Sequence, residues 1–316
     1  MTAPERSGLL LLKKSPGYTS FQALGLIKKA FSTSKVGHTG TLDKFAQGLL
    51  LTLVGRAVKL SPWFSGCDKQ YTGTIRFGVE TDTLDGEGGP VAEAPPPSKA
   101  ALEAVLPRFR GDILQAPPAY SAVHVGGKRA SALARSGVMV DTKKRPVSVY
   151  VLELLSYDPP LADIRVHCSK GTYIRSLARD IALAAGSRAY LAALNRTHIA
   201  GFHVSAAVDP LSAADPPGLL SGALKPVDTA VFDALGLPWI LVDDGTARHV
   251  IRGRPLSALI GEGKLRLPPG PSPAVGVFRG PGDFVAVINR NPGTGAAEDG
   301  AGASPGWSYG YVYARP

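Results

Sequence analysis

Cysteine is scarce in this chain: Cys67 and Cys168 are the only two among 316 residues, far apart and without CxxC spacing. That excludes a disulfide framework and a zinc signature, and both thiols read as small buried residues of a reducing compartment. Charge is sparse too, at 19% of residues, and acid is the rarer sign, with 25 Asp and Glu against 35 Lys and Arg for a net +10. Few charges with so large a positive excess point to a polyanionic partner, nucleic acid above all. Long apolar runs are missing. Leu9 to Leu12 is too short for a secretory h-region, and no stretch approaches the ~18 residues of a membrane span. A cytoplasmic protein with no membrane partner is expected. Walker A, dinucleotide-fingerprint and HExxH patterns are absent as well, so neither a metal nor an organic cofactor is expected.

What is present centres on Gly37-His38-Thr39-Gly40-Thr41-Leu42-Asp43. The glycines let a ligand approach the main chain, and Asp43 is the only acid between Glu5 and Asp68. Such a carboxylate either caps the next helix or does chemistry, and the local sequence leaves both open. Phe45 to Leu60 reads as a mostly apolar helix or helix–strand pair, broken near Gly55. Before the loop, Leu9 to Lys13 reads as a buried strand, and Thr19 or Ser20 caps a helix with Phe21, Leu24, Ile27 and Phe31 on its apolar side.

Tyr71 to Gly78 alternates strictly, with Tyr71, Gly73, Ile75 and Phe77 on one face, which is the pattern of a half-buried strand. Tyr71 is then a core tyrosine or a ring at a strand mouth that stacks on a base. Thr81 to Gly89 is a loop, and Lys99 to Leu106 a short helix capped by Ser98 and ended by Pro107. Strands follow over Pro146 to Leu155 and Ile164 to Cys168. Thr172 to Ala185 is the clearest helix, with the stripe Ile174, Leu177, Ile181 and Ala184 and the stop Gly186. Arg175 falls in its first turn, where a cation opposes the helix dipole. It is either solvated or paired with a carboxylate from elsewhere. The segment 128 to 145 carries six Lys or Arg against one Asp, enough to grip a phosphate backbone. A boundary is expected near 210–226, and the remainder reads as a small β-rich module. The fold class is α+β, with a mixed, largely antiparallel sheet.

Five ordered segments resemble the bacterial TruB-type tRNA pseudouridine synthases: KKSPGYTS, GHTGTLD with FAQGLL, DKQYTGTIRFGVETDTLDGEG, PPAYSAVHVGGKRASALARSGV, and VHCSKGTYIRSLARDIA with LNRTHIAGF. The resemblance implies a catalytic domain over 1–235 with a thumb-like loop at about 112–145. It also implies a PUA-type RNA-binding β-barrel over 236–316, carrying a Gly/Ala-rich insertion at about 292–306. It implies isomerisation of uridine to pseudouridine at T-loop position 55 of tRNA, by base flipping and without a cofactor, in a monomer that needs no protein partner. By position, Asp43 matches the essential aspartate, Tyr71 the tyrosine that stacks on the base, and Arg175 the aspartate's partner. His38 matches a histidine that fills the space left by flipped nucleotides, Lys14 a supporting lysine and Leu194 a pocket leucine. Gly40, Thr41, Lys128, Arg129 and Lys170 complete the expected substrate contacts. Lys44, Gln47 and Asn195 depart from the family's usual Pro, Thr and Arg. The alternatives are a noncatalytic tRNA-binding or tRNA-folding protein and a guide-RNA-dependent rRNA pseudouridine synthase. The intact Asp43, Tyr71 and Arg175 set speaks against the first, and the thumb-like segment against the second.

Overall fold

A computed structural model describes residues 6–138, 142–291 and 306–314. The Gly/Ala-rich insertion therefore lies, but for Gly306, outside the described residues.

The Gly8–Lys14 strand pairs antiparallel with Gln47–Val54, Leu9 opposite Leu53 and Leu11 opposite Leu51. Both strands are buried on two faces. Leu9, Leu11, Leu49, Leu51 and Leu53 enter one core, while Leu10, Leu12, Leu50 and Val54 pack on the helix Ser20–Phe31. This double burial explains why Phe45 to Leu60 shows no clear period. The region is a strand followed by a 3-10 turn over Gly55–Leu60, with no α-helix in it, and the break falls at Gly55 as expected.

The main sheet runs Gly8–Lys14, Gln47–Val54, Ala189–Ile199, Lys69–Phe77, Leu161–Cys168, Arg145–Asp158, Gly111–Gln115. Val36–His38 and Phe202–His203 are added at its side. Every pairing is antiparallel except Gln47–Val54 with Ala189–Ile199. The Tyr71 strand alternates as its sequence implies: Lys69, Tyr71, Gly73, Ile75 and Phe77 are buried, and the residues between them are not. On that buried face the helix Ile174–Ala184 packs through Ile174, Leu177, Ala178 and Ile181.

The helix Ser20–Phe31 is capped by Thr19 through a full capping box, and Leu24 and Ile27 are buried as expected. Phe21, by contrast, is 73% exposed, with Lys28 over its ring.

The stretch 210–226, where a boundary is expected, contains regular structure. Asp215 caps a helix over Pro216–Ala223 whose Leu220 packs on Leu10 and Leu12, and the Lys225 main chain exchanges hydrogen bonds with Leu9 at 2.8 and 2.9 Å. The last module has strands Trp239–Leu241, Ala274–Gly280, Asp283–Arg290 and Trp307–Val312, with helices Asp244–Ile251 and Leu256–Gly261. Among the described residues these strands form an open four-stranded sheet rather than a closed barrel. Its Phe278, Phe284 and Val287 join Leu49, Leu51, Phe64 and Phe232 in one core. The module is thus joined to the main sheet by shared apolar burial.

Candidate active site

Asp43 lies between Val36–His38 and Gln47–Val54, so the element after it is a strand and Asp43 caps no helix. The main chain around it is tied down from three sides. Ser20 Oγ donates to Leu42 O at 3.0 Å and accepts from Leu42 N–H at 2.9 Å. Lys14 Nζ donates to Lys44 O at 3.2 Å and Ala46 O at 2.6 Å. Arg196 holds the carbonyls of Gly40 and Thr41 at 3.1 and 3.3 Å.

Arg175 reaches the Asp43 carboxylate with two nitrogens. Nη2 donates to Oδ1 at 3.2 Å, and Nε lies 2.9 Å from Oδ2. The Nε–H is not aimed along that line, so this second contact is an ion pair rather than a hydrogen bond. The first-turn position that opposes the helix dipole is thereby offset by a carboxylate. The side chain of Arg175 is 5% exposed and that of Asp43 37% exposed, so the acid faces the open side of the pair. Arg175 also donates to Thr83 O at 2.6 Å and Tyr120 O at 3.0 Å, which anchors the Thr81–Gly89 loop and the start of the thumb-like segment.

A second carboxylate shares this cation. Asp85 Oδ2 lies 3.3 Å from Arg175 Nη1. Its Oδ1 accepts from Thr83 Oγ1–H at 2.6 Å and Glu87 N–H at 3.1 Å. Burial pushes the Asp85 carboxyl above the usual carboxylate range, against the pull of Thr83 and Arg175.

Asp43, Tyr71, Arg175, His38, Gly40, Thr41, Leu194 and Arg129 line one open cleft of about 670 Å3. Tyr71 is buried in its wall, which raises the phenol's pKa, and the neighbouring Arg196 pulls the other way. His38 is held below the usual imidazole value, chiefly by burial. Lys14 stands behind the loop, not in the cleft. It is 2% exposed, and burial lowers its ammonium to about 8. Lys128 is exposed on the hairpin formed by His124–Val125 and Lys128–Arg129, beside the cleft rather than in it. Lys170 lines a larger cleft of about 1000 Å3 between the main sheet and the C-terminal module, which contains neither Asp43 nor Tyr71. The three residues singled out as catalytic candidates, Asp43, Tyr71 and Arg175, all line the smaller one. No group of three or more His, Cys, Asp or Glu among the described residues is placed to hold a metal. No helix there is long and apolar enough to cross a membrane.

Residues 28–174 match the family model of the TruB family pseudouridylate synthase N-terminal domain. The chain is 47% identical over 201 residues to tRNA pseudouridine synthase B of Borreliella burgdorferi, across 63% of this chain and 71% of that protein. It is 42% identical over 264 residues to tRNA pseudouridine synthase B of Azoarcus, across 82% of this chain and 87% of that protein. The chain belongs to the TruB family.

The fold of this TruB-family chain is shared more widely. A solved Cbf5-Nop10-Gar1 complex matches with a TM-score of 0.68 at 22% identity, across 98% of this chain and 85% of that one. Two residues around the Asp43 cleft were not singled out by the sequence, Asp85 and Arg196. Asp85 sits in a loop whose acids and glycines read as turn chemistry. Arg196 sits in a strand where an arginine reads as outward-facing.

Proposed function

We propose that this chain converts uridine to pseudouridine in tRNA, at T-loop position 55, as a stand-alone enzyme. The observation that carries the reading is the Asp43 carboxylate held at two points by buried Arg175 in a cleft walled by Tyr71 and Leu194. The target uridine flips out of the T loop into this cleft, where Tyr71 and Leu194 offer an aromatic and an apolar face to the base. The N1–C1′ bond breaks, the uracil turns, and a C5–C1′ bond forms. C5 loses a proton and N1 gains one, so the reaction balances without a cofactor. Three routes are open to the carboxylate: attack at C1′, attack on the ring, and removal of the C2′ proton. Each requires the Asp43 carboxylate to be held in place beside the flipped nucleotide, which Arg175 does. His38 occupies the space that the flipped nucleotides vacate.

Residues 1–235 form the catalytic domain in this reading, with the thumb-like loop over about 112–145, where Lys128 and Arg129 contact the phosphate backbone. The module 236–316 is a PUA-type RNA-binding domain, which its exposed Arg248, Arg252 and Arg266 support. The protein acts in the cytoplasm as a monomer. Purified protein alone, given a T-arm minihelix in buffer with EDTA, is expected to form pseudouridine at one position. Modification that requires an added guide RNA would instead support a guide-dependent synthase.

A further inference from the structure

Arg196 is 1% exposed, and it is the bulkiest of the fully buried side chains. It sits where the two parts of the main sheet meet, opposite Gly48 in the one parallel pairing and opposite Tyr71 in the antiparallel one. Its guanidinium is spent on main-chain carbonyls: Nε donates to Leu49 O at 2.8 Å, Nη2 to Gly40 O at 3.1 Å and Nη1 to Thr41 O at 3.3 Å. No carboxylate is within ion-pair distance of it among the described residues. A buried cation without a counter-anion is costly to keep. An apolar side chain would fill the volume, but it would leave three carbonyls without donors.

The close approach that places Arg196 under the loop also depends on Gly48. Gly48 has φ +111°, and a Cβ there would stand 2.4 Å from Arg196 O. Ser20 and Lys14 hold Leu42, Lys44 and Ala46. Arg196 alone of these three holds Gly40 and Thr41, and it also stands beside the Tyr71 hydroxyl. One rigid fork thus holds the loop that carries Asp43 from the strand position paired with Tyr71, and both side chains line the one cleft.

We propose that Arg196 is a positioning residue that fixes Asp43 and Tyr71 relative to each other, acting on the rate of isomerisation and not on tRNA affinity. The proposal rests on the pseudouridine synthase reading above. A lysine at this site keeps the charge and three donors, but they radiate from one atom and cannot reproduce the planar fork that spans Leu49, Gly40 and Thr41 from three separate nitrogens. A displacement of about 1 Å at the reacting group can cost ~100-fold in rate.

The test compares wild type, Asp43→Asn, Arg196→Lys and Arg196→Gln. Single-turnover pseudouridine formation is measured at saturating enzyme, with tRNA affinity, binding stoichiometry and thermal stability measured alongside. For folded Arg196→Lys the rate is expected to fall on the order of 100-fold, with the dissociation constant changed less than about threefold. Added methylguanidinium is expected to restore at least about tenfold of the rate to Arg196→Gln, which a purely structural defect would not show. The rate is referred to the tRNA-binding-competent fraction, so partial unfolding does not mimic the effect. A rate per binding-competent molecule within threefold of wild type in either variant would overturn the proposal. So would rate and affinity falling in parallel with no rescue. An inactive wild type would instead fail the enzyme reading itself, which separates the two failures.

Discussion

Removing the guanidinium from Arg175 should cost more stability than any surface charge in this protein, and its cost should depend on Asp85. In Arg175→Met two carbonyls, Thr83 O and Tyr120 O, lose their donor, and Asp43 and Asp85 lose their shared cation. Breaking a buried ion pair from one side costs about 3–5 kcal/mol. The low end applies here. Asp43 is open enough to rehydrate, and Asp85 keeps its hydrogen bonds from Thr83 and Glu87. A loss of about 3 kcal/mol at pH 8 follows. The Asp85 carboxyl, already raised by burial, takes up a proton more readily once the cation is gone. A raised acid favours the folded state at low pH and loses that contribution as pH rises through its folded value. The deficit of Arg175→Met should therefore shrink as pH falls from 8 toward 5. Adding Asp85→Asn should recover at least about 1 kcal/mol, a non-additivity expected of direct partners. Urea unfolding followed by tryptophan fluorescence reads all three quantities. A single-variant cost below about 1 kcal/mol, or strict additivity of the two substitutions, would refute the network.

Two further outcomes are expected. Lys128→Ala with Arg129→Ala should weaken tRNA binding and flatten the slope of log affinity against log salt by about 1.8 if each residue meets one phosphate. An unchanged slope would move the RNA footprint elsewhere. Lys14 is lowered from 10.5 to about 8, so between those values the folded state binds fewer protons than the unfolded one, and stability rises with pH there. The stability of wild type relative to Lys14→Met should climb through that window. A flat difference would show that the ammonium is not desolvated.

Legibility followed the periodicity of each segment. The Tyr71 strand could be read because one of its faces is buried and the other is not, so its alternation survives in sequence. The Gln47–Val54 strand could not, because leucines on both faces erase the period. Asp43 and Arg175 were identifiable as odd in place while Tyr71 read equally well as a core residue, and only the fold brings the three to one cleft. Arg196 was hidden by two irregularities in its strand, between Leu191 and Ala193 and between Arg196 and His198, which shift the alternation so that an arginine turns inward. The stretch 210–226 read as a boundary because Pro, Gly, Ser and Ala dominate it, and its helix Pro216–Ala223 was not legible in that composition. Its main-chain pairing with Leu9 leaves no trace in side-chain pattern. The shared core around Phe232, Phe278 and Phe284 was invisible for the same reason, since contacts between distant segments have no local period.

The most direct measurement is pseudouridine formation on an unmodified tRNA transcript in EDTA by wild type and by Asp43→Asn. The account predicts product at the T-loop uridine with wild type, none with Asp43→Asn, and similar tRNA affinity for both. Turnover by Asp43→Asn at a rate near wild type would contradict it.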